Sequence, residues 1–182
     1  MSIIERTGQT LPTGTWRVDS THSHVGFGVE YTGGTFRGSF SPVEGALEVD
    51  ESGQATLSGR AKAESVKVQD ENLTAHLLAP DFFDAERAPE ITFSSTAIER
   101  EGDVIDAVGE LTIKGITQPV ELEGTASEPI TDAAGNERIG LQLRSTVDRR
   151  EFGLDWNMAL PNGEPALAYD VELVAELYLV KK

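Results

Sequence analysis

Apolar and polar residues alternate along most of this chain. From Val25 to Tyr31, the residues Val25, Phe27, Val29 and Tyr31 share one face of an extended strand, and Gly26, Gly28 and Glu30 share the other. Ala55, Leu57, Gly59, Ala61 and Ala63 alternate with Thr56, Ser58, Arg60, Lys62 and Glu64, and Ile91, Phe93, Ser95 and Ala97 with Thr92, Ser94 and Thr96. The same period runs through Ile105, Ala107, Gly109, Leu111 and Ile113, through Ile139, Leu141, Leu143, Ser145 and Val147, and through Val171, Leu173, Ala175, Leu177 and Leu179. One oily face and one wet face at period two predict antiparallel sheet. Further strands over 15–19, 36–49 and 119–128 bring the expected number to about eight or nine. Turn-forming residues separate them: Thr32-Gly33-Gly34, Asp50-Glu51-Ser52-Gly53, Glu101-Gly102-Asp103 and Asp132 to Asn136. Short connections of this kind join neighbouring strands as hairpins. A sheet of this size without helices to cover it folds onto itself, so the expected class is all-β, a barrel or a sandwich.

Two segments break the alternation. Asp70 to Ala79 places Leu73, Leu77 and Leu78 at helical spacing, with Asp70 positioned to cap the start and Pro80 to stop it. Asp81-Phe82-Phe83-Asp84 then reads as a buried turn, and a second short helical piece is expected around Arg149 to Leu154. No repeat or long linker divides the chain, which predicts a single domain over 15–182 after a flexible segment 1–14. The inward faces carry many small residues, notably Gly59, Ala61, Ala63, Ala107 and Gly109. A solid barrel interior needs bulk, so small residues mean either close sheet contact or an empty tube. The aromatics Phe27, Phe36, Phe40, Phe82, Phe83, Phe93 and Trp156 suit a cavity wall and a plain core equally.

The 182 residues include 31 acids against 15 bases, a formal net charge of −16. Such a surface repels phosphate backbones and anionic headgroups, which argues against nucleic-acid partners and electrostatic membrane docking. With no cysteine there are no disulfides, thiolate metal sites or thiol nucleophiles. The N-terminal stretch has neither the charged start nor the apolar run of a secretory signal, and no segment reaches the roughly 18 apolar residues of a spanning helix, so a cytoplasmic protein without stable membrane insertion is expected.

Candidate chemistry is sparse. His22-Ser23-His24 puts two imidazoles on one face of an extended segment, but two histidines without a fixed third ligand make a weak metal signal, and no metal or cofactor is expected. His76 reads as a capping or packing residue. There is no Gly-x-Ser-x-Gly nucleophile elbow and no phosphate-binding glycine loop, and with 31 acids any carboxylate pair is uninformative. Asn72-Leu73-Thr74 is a sequon without a secretory context, and Asp132 to Asn136 lacks the later glutamate of a calcium loop. Arg149-Arg150 suits ion pairing with nearby acids, or a cavity mouth where one guanidinium holds a polar headgroup.

Several blocks in order resemble the YceI-like family: Trp16-Arg17-Val18-Asp19 with His22-Ser23 and Val25-Gly26-Phe27, then Gly38-Ser39-Phe40. They continue through His76-Leu77-Leu78-Ala79-Pro80-Asp81-Phe82-Phe83-Asp84 and Pro89-Glu90-Ile91-Thr92-Phe93-Ser94-Ser95. Gly109 to Thr117 and Arg149-Arg150-Glu151-Phe152-Gly153-Leu154 complete the set, so the likeness runs from about Trp16 to Val180. The resemblance implies an eight-stranded antiparallel, lipocalin-like barrel with one or two short helices around a long apolar pocket. It also implies non-enzymatic binding of a polyisoprenoid, isoprenoid quinone or fatty-acid amide, often by a homodimer. On this reading Phe27, Phe36, Phe40, Phe82, Phe83, Phe93 and Trp156 form the wall, Ala61, Ala63 and Ala107 make room, and Arg149, His22 and His24 stand near an opening. The rival expectations are a metal-dependent enzyme using His22 and His24, and a ligand-free interaction domain with a packed interior.

Overall fold

A computed structural model describes residues 10–182. Twelve strands form one sheet: β1 (Gly14–Val18), β2 (His24–Tyr31), β3 (Gly34–Phe40), β4 (Val43–Val49), β5 (Ala55–Lys62), β6 (Val66–Val68), β7 (Glu90–Glu101), β8 (Val104–Ile113), β9 (Ile116–Ala126), β10 (Ile130–Thr131), β11 (Glu137–Asp148) and β12 (Leu167–Lys181). The first six are halves of three bent staves. β1 pairs with β4 and β2 with β3, while β4 pairs with β5 and β3 with β6. The bends fall at Asp19–Ser23, at the cis Ser41–Pro42 peptide and at the 3₁₀ turn Ala63–Ser65. The alternation predicts unbroken strands over 36–49 and 55–66. The chain interrupts both because a proline cannot donate to a ladder and because the strands must turn a corner to close.

With the bent staves counted once and the two-residue β10, which pairs only with β11, set aside, the result is a closed eight-stranded antiparallel barrel. Closure comes from β12, which pairs with β11 from Asp170 to Val180 and on its other side with β2 and then β1. One phase error emerges. A register shift between Ser95 and Ala97 in β7 turns Ala97 outward and brings Ile98 and Arg100 to the inner face. A bulge adds one residue to one strand, which inverts every side chain beyond it.

The two ends of the barrel differ. At one end, Trp16, Leu47, Ile105, Ile139, Leu141, Leu143 and Leu179 are fully buried and touch one another. Of the expected N-terminal segment 1–14, residues 1–9 lie outside the described residues. The remainder docks beneath this floor: Leu11 is 3% exposed, and the Trp16 indole donates to the Pro12 carbonyl at 2.9 Å. Buried Arg100 donates to the Thr10 carbonyl and to Glu128. The other end carries two tight hairpin turns, Thr32-Gly33 and Lys114-Gly115, with both central residues at positive φ as a right-twisting hairpin requires. It is covered by the segment 69–89 and the loop 149–166. The first contains the 3₁₀ turn Glu71–Leu73, with Asp70 accepting from the Asn72 amide, and α1 (Thr74–Leu78).

One seam is short. β9 and β11 pair only from Glu123 to Ala126 against Arg144 to Leu141, then diverge toward the covered end. At Gly124 the two backbones approach so closely that a Cβ would run into the Gln142 carbonyl. The 3₁₀ turn Arg149–Phe152 fills the wedge, with Phe152 buried and the Gln118 side chain donating to the Glu151 carbonyl at 3.0 Å. Gly124→Ala must force these backbones apart and is expected to destabilise the protein by about 1–3 kcal/mol, the usual cost of overpacking. Urea denaturation of the variant beside the parent measures it.

Candidate functional site

The covered half of the barrel is hollow. A cavity of about 410 Å³ lies between the floor and the lid. Its wall is built from the inward phase of the strands: Val25, Phe27 and Val29 on β2, Phe36 and Phe40 on β3, Leu111 and Ile113 on β8, and Val171, Leu173 and Ala175 on β12. Many of these side chains are only half buried although they point inward, because their free surface faces the cavity. Tyr31 and Leu73 both line the cavity and are exposed, so the mouth lies between the β2–β3 hairpin and the lid.

Two aromatic groups shape the interior. Phe27 stands 6.0 Å from Phe40 and 6.3 Å from Phe36, and Phe83 meets Phe40 edge-on at 5.6 Å. On the lid side His76 packs edge-on against Phe82 and Trp156, each at 4.8 Å between ring centres. Edge-on pairs set the positive rim of one ring against the negative face of the other. The His76 packing role expected from the sequence is therefore what the lid uses, with Asp81 3.7 Å from the imidazole.

Of the residues predicted from the sequence, Phe27, Phe36, Phe40, Ala61, Phe82, Phe83, Phe93, Trp156 and Arg149 lie on the cavity lining. Ala63 and Ala107 are buried off the lining, packed among neighbours, so they do not make room. Small size has two uses here. The Phe93 ring lies over Gly109, where a Cβ would stand 2.7 Å from its tip, and the Phe27 ring fills the place above Gly38. At Gly59, in contrast, the nearest atom to an added Cβ is the Glu44 carbonyl oxygen at 3.6 Å, and the space opens into the cavity. The inward aliphatics Leu111, Ile113, Leu143, Val147 and Leu177 also line the cavity. Their strand phase marked them as inward, but nothing in the sequence separated cavity wall from core.

The three polar candidates differ from expectation. Arg149 touches the lining but is 5% exposed, and its guanidinium is committed to the backbone. It donates to the carbonyls of Leu154 at 2.6 Å, Trp156 at 2.9 Å, Ala168 at 2.8 Å and Leu167 at 3.2 Å. Burial pulls its pKa down, and the Tyr169 ring lies 4.7 Å from the guanidinium carbon. Its geometry is that of a clamp on the loop 149–168, with four of its five N–H donors already used. Arg150 makes the expected ion pair, with Asp148. His22 and His24 are not at the opening: neither lines the cavity, and both are exposed. His22 lies in the β1–β2 bend with its Nδ1 2.7 Å from Asp19, and His24 points outward from the start of β2. Among the described residues no three His, Asp or Glu side chains converge as a metal site.

Asp19 belongs to a charged network that pins the bend. Arg138 bridges it at 2.9 Å to Asp132, itself at 2.6 Å. Hydrogen bonds from His22 and then Arg138 hold the Asp19 pKa at about 2, and Arg138 followed by the Asn136 amide holds Asp132 at about 2.

Residues 16–179 match the family model described as YceI-like domain. Protein YceI of Escherichia coli O157:H7 is 27% identical over 161 residues, covering 87% of this chain and 84% of that protein. Protein YceI of Salmonella arizonae is 26% identical over 180 residues, 96% of this chain and 94% of its own. Among solved structures, BcnA of Burkholderia cenocepacia superposes with a TM-score of 0.76 at 20% identity, over 88% of this chain and 98% of that one. A polyisoprenoid binding domain from Saccharophagus degradans superposes with a TM-score of 0.71 at 12% identity, over 92% and 98%.

Two predictions follow from the polar groups. Arg149→Lys replaces a planar fork by a single point of donation, and stranding several buried carbonyls is expected to cost about 1–3 kcal/mol in chemical denaturation. The second concerns acid. A carboxylate whose folded pKa lies below its unfolded value contributes stability above that unfolded value and loses it as pH falls through the folded one. Stability is therefore expected to decline from the ordinary carboxylate value of 3.8 down to about 2. Arg138→Gln should flatten that decline, as read from denaturation midpoints across the acid range.

Proposed function

The chain belongs to the YceI-like family, and on that premise we propose that it is a non-enzymatic carrier of one long-chain amphiphilic lipid: a polyisoprenoid, an isoprenoid quinone or a fatty-acid amide. The observation that carries this reading is the 410 Å³ cavity, whose lining is mainly aliphatic and aromatic with a mouth at Tyr31 and Leu73. Such a site binds by removing apolar surface from water. Each buried methylene contributes about 0.8 kcal/mol, so about ten offset a typical cost of association. Of the two lining arginines, Arg149 spends four of its five N–H donors on backbone carbonyls and Arg60 pairs with Glu44, which leaves both poorly suited to activate a substrate. The Saccharophagus degradans polyisoprenoid binding domain shares this barrel, which supports the same reading.

The test is solvent extraction of the purified protein followed by mass spectrometry, with binding of added quinone, prenol and fatty-acid amide measured in parallel. A stoichiometric prenyl or acyl lipid is expected. Empty extracts together with no uptake of any added lipid would overturn the proposal. Ala61→Phe provides a second check. A ring placed in free space should weaken lipid binding about tenfold or more while costing less than the roughly 1–3 kcal/mol of an overpacked core.

A further inference from the structure

We infer that the floor of the cavity acts as a ruler, restricting the buried tail to about three or four isoprene units, or an acyl chain of similar length; the inference rests on the lipid-carrier reading above. The cavity does not run the length of the barrel. Four of its lining residues, Val18, Leu57, Leu143 and Leu177, also belong to the solid cluster at the opposite end. Directly beneath three of them, on the same strand faces, stand Trp16, Leu141 and Leu179, each at most 1% exposed. A tail that reaches Leu143 and Leu177 thus meets packed side chains, a layer below which the N-terminal Leu11 is also buried.

Strand geometry sets the length. Along β12, the six residue steps from Leu177 at the floor to Val171 on the upper wall span about 20 Å, or about 15 Å along the axis once strand tilt is allowed for, and Tyr31 at the mouth, two residues beyond the Val29 partner of Val171, adds about 5 Å. An extended isoprene unit covers roughly 5 Å by ordinary bond lengths, which gives three units up to Val171 and four up to the mouth. Any longer chain must leave its remainder outside the mouth, where it gains nothing from the wall.

Displacement of a bound neutral naphthylamine dye by prenols of ten, fifteen, twenty, thirty and forty carbons tests this. Affinity is expected to climb at least tenfold per added unit while each unit finds wall, then to stay level within about threefold from twenty carbons to forty. Leu143→Ala opens the floor and should move the plateau up by about one unit. Gly59→Leu places a side chain in free space just above the floor and should move it down by about one unit, so the pair remains decisive if the truncated floor fails to fold. A continued rise in affinity to forty carbons overturns the ruler while leaving lipid carriage standing. An unmoved plateau in folded Leu143→Ala overturns the role of the floor. If no prenol displaces the dye and extracts are empty, the carrier reading falls and takes the ruler with it.

Discussion

Closure of the sheet is the constraint from which the rest follows. Once eight staves are joined edge to edge, the width of the tube is set by strand number and tilt, not by what the tube contains. Period two then delivers every second side chain into that fixed space. Whether a given level is solid or hollow depends on the summed volume of the residues that reach it. At the level of Trp16, Leu47, Leu141 and Leu179 the sum suffices and the side chains are sealed from solvent. At the level of Gly59 and Ala61 it does not, and space remains. The seam between β9 and β11 is a consequence of the same geometry, since two strands that cross closely at Gly124 must separate on one side of the crossing.

Most of the fold was legible in the residues because alternation is a direct record of inside and outside. The inward faces of β2, β5, β8, β11 and β12 follow from it, as do the hairpin turns at Gly33, Gly53 and Gly102 and the 3₁₀ turn after Asp148. The bulge at Ser95 to Ala97 was hidden, since alternation in the sequence continues across it while the backbone does not. The cavity was harder to read. A phenylalanine facing inward looks the same in a sequence whether it fills a core or walls a void. Gly38 and Gly109 likewise resemble Gly59, although the first two seat aromatic rings and only the third faces open space. That distinction lies in a cross-strand neighbour, which spacing along the chain does not record.

The polar candidates were misplaced for a related reason. His22 and Arg149 were visible as unusual residues in a strongly acidic chain, and both do have specific partners. Those partners are local, though: a bend in one case and loop carbonyls in the other. A guanidinium beside an apolar void is costly to leave unpaired, so a barrel of this kind satisfies Arg149 internally before any ligand arrives, while His22 lies exposed in the bend, away from the cavity.

This internal satisfaction bears on how a lid can coexist with an oily interior. The cover over the cavity must be held by something other than hydrophobic contact with the ligand, or it would collapse inward when the tube is empty. Arg149 holds the loop 149–168 through its carbonyls, and the Lys114 ammonium reaches the Gly153 carbonyl at 3.1 Å and the Pro80 carbonyl as well, joining the loop to the segment 69–89. Cation-to-carbonyl bonds are directional and gain strength where water is scarce. They fix the lid by its backbone and leave the ring faces of Phe82, His76 and Trp156 packed on one another at the cavity's upper side. The cover is thereby suspended from its polar edges above a void that its apolar side chains line.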